Sequence, residues 1–220
     1  MIPAKKSPVF EHFFHLYNKQ LLKRHFHGIY VKSPQELPKN ALFYGNHSSW
    51  WDGLVWFHLN KMFLHHNIHI MMHEKGLNEF RFFKKLGAYS VNRNQPRDIA
   101  LSLQYGAELL NSGKSTILFP QGDEKHQELR PLGFLPGIVA LSEKASAVPL
   151  LPAAVCYTFG HQRKQAVYIS IGEPHFLSSL PGDNRREKSA MLERDFTSML
   201  DELRSAVISE QTESFQNILL

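Results

Sequence analysis

Ala41-Leu42-Phe43-Tyr44-Gly45-Asn46-His47-Ser48-Ser49-Trp50-Trp51-Asp52 decides how the chain is read. Its first five residues form an apolar run of strand length closed by a glycine. From about Ser49 to Leu59 the apolar spacing becomes helical. A strand that feeds directly into a helix is the building unit of an α/β fold. The same alternation continues down the chain. Strands are expected over 67–72, 88–91, 116–119, 148–157 and 165–172. Helices are expected over 78–86, from Pro96 to a stop at Gly113, over 138–145 and over 185–209. The reading is a single α/β domain with a central, largely parallel sheet flanked by helices. The tail to Leu220 is expected to fray.

Upstream, residues 33–40 carry Pro34 and Pro38 and read as a linker. It separates an N-terminal segment, 1–32, from a main domain, 33–220. Within that segment, 10–29 reads as an amphipathic helix, with Phe10, Phe13, Phe14, Tyr17, Leu21 and Leu22 at helical spacing and Lys19, Lys23 and Arg24 around them. Two readings stay open. The helix docks on the protein's own core, or its aromatics enter lipid while its cations meet head groups.

Composition narrows the partners. The 220 residues carry 25 Lys plus Arg against 20 Asp plus Glu, a formal charge of +5. Such a balance suits nucleic acid or an anionic membrane. A hydrophobic share of 43% excludes disorder as the main state. The single cysteine, Cys156, excludes an intrachain disulfide framework and a cysteine-based zinc cage. No secretory signal is visible, and no apolar run reaches the ~20 residues of a spanning helix. His65, His66, His69 and His73 suggest a metal cluster, but the alternation through Ile68–His73 favours a strand. The basic aromatic run Phe80–Lys85 contains no recognisable nucleic-acid module, so no nucleic-acid partner is expected. A surface facing a membrane or a thioester carrier suits it better. Trp50, Trp51 and Trp56 are candidates for the wall of an acyl tunnel or for ordinary core.

The chemistry lies in Asn46–Asp52. On one continuous helix His47 and Asp52 would stand about 140° apart, at roughly 100° per residue. They meet only if His47 precedes the helix and Asp52 lies in its first turn, with Ser48 or Ser49 as cap. An Asp accepting from one imidazole nitrogen fixes the tautomer and raises the basicity of the other, which then takes a proton from a hydroxyl.

This segment resembles N-H-x-S-x-x-D, the first of four blocks of the glycerolipid acyltransferases, the family of 1-acylglycerol-3-phosphate acyltransferase. Gly87-Ala88-Tyr89-Ser90-Val91-Asn92-Arg93 is similar to the second block. Phe119-Pro120-Gln121-Gly122 is similar to the third, F-P-E-G, and Val148-Pro149-Leu150-Leu151-Pro152 to the fourth. The resemblance covers about residues 40–175. It implies acyl transfer from a thioester, acyl-CoA or acyl carrier protein, to a hydroxyl of a membrane lipid, with no cofactor and no metal. His47 is then the general base and Asp52 its orienter. Asn46, Ser48, Ser49, Gly87, Arg93, Phe119, Pro120, Gln121, Gly122 and Asp123 are the candidate substrate contacts. Backbone N–H groups at Ser48 and Ser49 are candidate oxyanion donors. Arg93 is the natural phosphate contact, since its fork binds such anions bidentately. Cys156 reads as core.

The third block departs from the family pattern F-P-E-G-T-R-S. Gln121 stands for the Glu, Asp123 for the Thr and Glu124 for the Arg, and the later F-K-x-G reads Phe134-Leu135-Pro136-Gly137. Two acidic residues repel a phosphate, while Gln121 and Asp123 suit uncharged hydroxyls; Lys125 and Arg130 stand nearby as alternative cations. The acceptor expected on these grounds is a neutral glycolipid or glycosylated isoprenoid. The alternatives are lysophosphatidic acid, as in phospholipid synthesis, and a non-catalytic lipid-binding relative. The expected location is peripheral, on the cytoplasmic face of a membrane.

Overall fold

The computed structural model describes residues 1–220. Ser7 caps the first helix, α1 (Pro8–His25), by accepting the Phe10 N–H. Pro8 occupies the first turn, where its missing N–H leaves no bond unmade. The helix stops at His25, earlier than its spacing predicts. From Phe26 the side chains alternate between core and solvent, and Ile29 and Val31 favour extended backbone. This stretch is strand β1 (Phe26–Lys32), so the sheet does not respect the expected boundary between 1–32 and 33–220.

The other strands are β2 (Leu42–Tyr44), β3 (Ile68–His73), β4 (Ala88–Val91), β5 (Ser115–Leu118), β6 (Leu150–Thr158), β7 (Gln165–Ile171) and β8 (Gln216–Asn217). They form one 8-stranded sheet in the order β4-β3-β5-β2-β6-β7-β1-β8. From β4 to β6 every pair is parallel, as is β7 with β1. Only β6 with β7 and β1 with β8 run antiparallel. The tail is docked rather than frayed: β8 pairs with β1, Ile218 and Leu219 are buried, and His58 Nε2 lies 3.0 Å from the Ile218 carbonyl.

The helices α2 (Asp52–Leu59), α3 (Glu74–Glu79), α4 (Pro96–Asn111), α5 (Gly137–Lys144) and α6 (Arg185–Ile208) cover the sheet. Successive side chains of a strand face opposite ways. In β2, Leu42 and Tyr44 join the core layer under α4, α5 and α6, while Phe43 joins the layer under α2. The histidine-rich stretch is the expected strand, with His69 buried.

Both readings of α1 find a surface. Phe14 is buried against Leu54 and Leu86, and Phe10 and Leu21 flank it. Val9, Phe13, Leu16 and Tyr17 are exposed. No helix is long and apolar enough to cross a membrane.

Candidate active site

The parallel strands β2, β4 and β5 release their loops at one edge of the sheet, the usual ligand edge of such folds. Asn46 follows β2. Its side-chain amide donates to the Val155 carbonyl at 2.8 Å and accepts the Val155 N–H at 2.8 Å. The amide thus imitates a strand neighbour and extends the pairing of β2 with β6. That is a structural task, not the substrate contact expected of it.

His47 is held at four points. Its backbone N–H donates to Gln121 Oε1 at 2.7 Å, and its carbonyl accepts the Lys125 N–H at 2.8 Å. Its ring stacks on Phe119, with centroids 4.4 Å apart and planes 16° from parallel. Nδ1 lies 2.7 Å from Asp52 Oδ2. Nε2 makes no protein hydrogen bond, and His47 lines the main cavity.

Asp52 is fully buried. A buried carboxylate is costly unless its oxygens are matched by donors. Here Oδ2 also accepts the backbone N–H groups of Ser48 and Ser49 at 2.9 and 3.1 Å. Oδ1 accepts the Tyr157 hydroxyl at 2.6 Å. The carboxylate stands in the first turn of α2, where the helix dipole favours negative charge. Two expectations are corrected by this geometry. No serine side chain caps α2; Ser49 Oγ instead accepts the Trp51 N–H at 3.2 Å. The N–H groups of Ser48 and Ser49 are committed to Asp52, so they do not serve an oxyanion, and neither serine lines the cavity.

The third block forms the opposite wall. Phe119, Pro120, Gly122 and Asp123 line the cavity, together with Arg93. Gly122 has a φ of 77°, and a Cβ there would overlap the Arg93 guanidinium. Only glycine lets Arg93 lie across this turn. Arg93 Nη2 pairs with Asp123, which holds the Asp123 carboxyl below the usual carboxylate range. The Arg93 Nε is buried without a partner. Gln121 does not meet an acceptor, contrary to expectation. It is buried, and its Nε2 donates to the Leu132 carbonyl at 3.3 Å while Oε1 holds His47. Gly87 is likewise away from the cavity. With a φ of 102° it turns the chain into β4, where a Cβ would stand 2.8 Å from the Ile68 carbonyl. Arg130 is turned toward Asp201 and the carbonyls of Gln127 and Leu129.

The cavity measures about 710 Å³. It follows β3 from Ile68 to His73, about 16 Å at ~3.3 Å per residue. Trp56, Phe83, Ile70, Ile117 and Leu103 are among the apolar residues along it, with Trp50 also on the wall. Trp51 packs on Phe26 instead. Polar groups stand at the two ends: His47, Arg93 and Asp123 beside the loops, and Lys6 with Glu11 where α1 begins. No three His, Cys, Asp or Glu side chains are arranged to hold a metal ion. Cys156 is buried in β6, and burial pushes its thiol up to about 11, so it is an inert core residue. Tyr157 is the site residue that motif reading overlooked. It lies 105 residues from Asp52, and only the position of β6 beside β2 unites them.

Three comparisons bear on this arrangement. No curated protein matches the sequence. The crystal structure of the 1-acyl-sn-glycerophosphate (LPA) acyltransferase PlsC from Thermotoga maritima is similar, with a TM-score of 0.63 and 18% identity over 88% of this chain and 79% of that one. At that identity the likeness shows the fold. The acyltransferase family matches residues 28–156, more than half of the chain and all of the loops that form the site. With His47 against Asp52 at the head of an apolar cavity, and that match running through both, the chain belongs to the acyltransferase family.

Proposed function

We propose that the protein moves a fatty acyl chain from acyl-CoA or acyl carrier protein to the hydroxyl of a lysophospholipid, with 1-acylglycerol-3-phosphate as acceptor. The carrying observation is the His47–Asp52 pair, at 2.7 Å, opening onto a cavity of fatty-chain character. His47 Nε2 takes the acceptor's hydroxyl proton while the oxygen attacks the thioester carbonyl. Asp52 steadies the imidazolium. The tetrahedral intermediate collapses with loss of the thiolate, which receives the proton from His47. A thioester is already activated, so alignment and deprotonation of the alcohol are the main tasks.

The phosphate reading is supported by the fold likeness to PlsC and by Arg93. One of its five donors meets Asp123, and Nε has no partner, so the guanidinium retains capacity for an anion. A second reading, a neutral sugar headgroup, is favoured by the Arg93–Asp123 pair itself, which already sets a carboxylate against the Arg93 guanidinium. The exposed stripe of Val9, Phe13, Leu16 and Tyr17 supports a peripheral position on a membrane, with the acceptor entering sideways. No cofactor is required by this chemistry.

The test is acyl transfer from radiolabelled acyl-CoA and acyl carrier protein to a panel holding 1-acylglycerol-3-phosphate, other lysophospholipids and neutral glycolipids. Label in phosphatidic acid is expected. Label confined to glycolipid moves the assignment to the second reading, and no labelled lipid at all removes the enzymatic one.

A further inference from the structure

Asp52 has two oxygens and His47 uses one of them. The other is occupied by a single side chain from a distant strand. Tyr157 Oη donates to Oδ1 at 2.6 Å, a short bond between a phenol and a carboxylate. The ring packs beside Phe26, with centroids 6.1 Å apart, and is partly buried at the edge of the core layer under α2. Burial and the neighbouring Asp52 raise its phenol well above the usual tyrosine range, so it stays a donor at every working pH.

We propose that Tyr157 is a positioning residue of the acyl-transfer site: its phenol, bonded to the oxygen that His47 does not use, holds Asp52 in the rotamer that aims His47 Nε2 into the cavity. The proposal rests on the acyl-transfer reading above. Two backbone N–H groups grip Oδ2, the oxygen that also meets the imidazole. Those bonds anchor one oxygen and leave the carboxylate free to swing about it. The phenol removes that freedom. It also draws negative charge toward Oδ1, which moderates the pull of Asp52 on an imidazolium proton. The other charged groups around the pair are Arg93, Asp123, Glu124 and Lys125 of the facing loops and His25 beside Trp51. Replacing the phenol alters none of them.

The experiment compares wild type, Tyr157→Phe, Asp52→Asn and the double variant in the transfer assay. In Tyr157→Phe, kcat is expected to fall roughly ten- to a hundred-fold, as for a misaligned catalytic group, with KM for both substrates unchanged. The acid limb of kcat/KM is expected to move to higher pH, because an unshared Asp52 charge stabilises the imidazolium. In the Asp52→Asn background the same change should cost almost nothing further. Wild-type kcat and pH profile in Tyr157→Phe would overturn the proposal. So would a loss that tracks lowered Tm, leaves the acid limb in place and adds fully to that of Asp52→Asn. Should Tyr157→Phe fail to fold, 3-fluorotyrosine at position 157 replaces it. A stronger donor there must move the acid limb to lower pH, and an unmoved limb rejects the idea. Failure of wild type to transfer any acyl chain strikes the acyl-transfer reading instead.

Discussion

Two carboxylate pairs, one with an imidazole and one with a guanidinium, stand at the head of the same cavity, and they are built in opposite ways. In His47–Asp52 the carboxylate is fully buried and receives donors on both oxygens, from the imidazole, two backbone N–H groups and Tyr157. In Arg93–Asp123 the carboxylate side chain is 62% exposed and has one partner. An exposed pair of that kind contributes at most about 1 kcal/mol. A buried and fully bonded carboxylate cannot be released without leaving a charge unpaired, at a cost of roughly 3–5 kcal/mol. The first pair is fixed machinery. The second is a contact that an incoming anion can displace.

The sharpest break of this contrast is chemical. His47→Ala should lower acyl transfer by roughly 10²–10⁴-fold while the protein keeps its Tm, since His47 is partly exposed and its removal strands no charge that Tyr157 and the serine N–H groups do not still hold. Asp52→Ala should lose both activity and stability, because it strands the Tyr157 hydroxyl and two backbone donors. Equal transfer by wild type and His47→Ala, read as labelled lipid, would remove the pair from the mechanism.

Half of this site is legible from residue order and half is not, for a physical reason. His47 and Asp52 lie five apart on one strand–helix junction, so local geometry suffices to join them. The alternation of strands and helices likewise exposes the α/β architecture, because burial imposes its period on each element. Asn46, Gln121 and Gly87 resemble substrate contacts by position, yet their side chains or backbones serve the fold. An amide that meets Val155 across 109 residues leaves no local trace. Tyr157 and the strand β1 escape for the same reason: pairing across the sheet decides their roles. The β-branched Ile29 and Val31 favour a strand over Phe26–Lys32, but only pairing with β7 decides it against the helical spacing that precedes it.

Acidity acts on the buried histidines away from the site. Burial lowers His58 and His69 to about 4, from an ordinary value of 6.5. Between these limits the unfolded chain binds protons that the folded chain refuses. Stability is therefore complete above about pH 6.5 and declines as pH falls toward 4. The two together should cost up to roughly 7 kcal/mol by the lower limit, at 1.36 kcal/mol for each pH unit between the ordinary and the lowered value. Thermal melts between pH 7.5 and 4.5 check this, and His58→Gln should flatten the slope.

Gln121 tests whether the fixed pair depends on its neighbours. Gln121→Glu restores the residue of the family pattern, but places a second acceptor against the Leu132 carbonyl, where Nε2 now donates. The substitution should destabilise the protein by about 1–3 kcal/mol, the cost of a buried polar group left unmatched. His47 should keep its backbone bond, because the remaining oxygen still accepts it. A lowered Tm with nearly unchanged kcat at permissive temperature is the expected pattern.

The smallest effect belongs to the displaceable pair, and it decides the acceptor. Asp123→Asn removes the charge that competes for Arg93 but keeps the shape of the loop. If a phosphate is the natural partner, KM for 1-acylglycerol-3-phosphate should fall about three- to five-fold, since releasing an exposed ion pair is worth up to ~1 kcal/mol. Arg93→Gln should raise it by more, because the phosphate loses a fork rather than gains one. A neutral glycolipid should respond to neither change through charge. The two variants therefore move in opposite directions for one acceptor class and stay level for the other. Opposite shifts with the phosphate acceptor would show Asp123 to be a gate on Arg93. Level responses would show that Arg93 and Asp123 are partners only of each other.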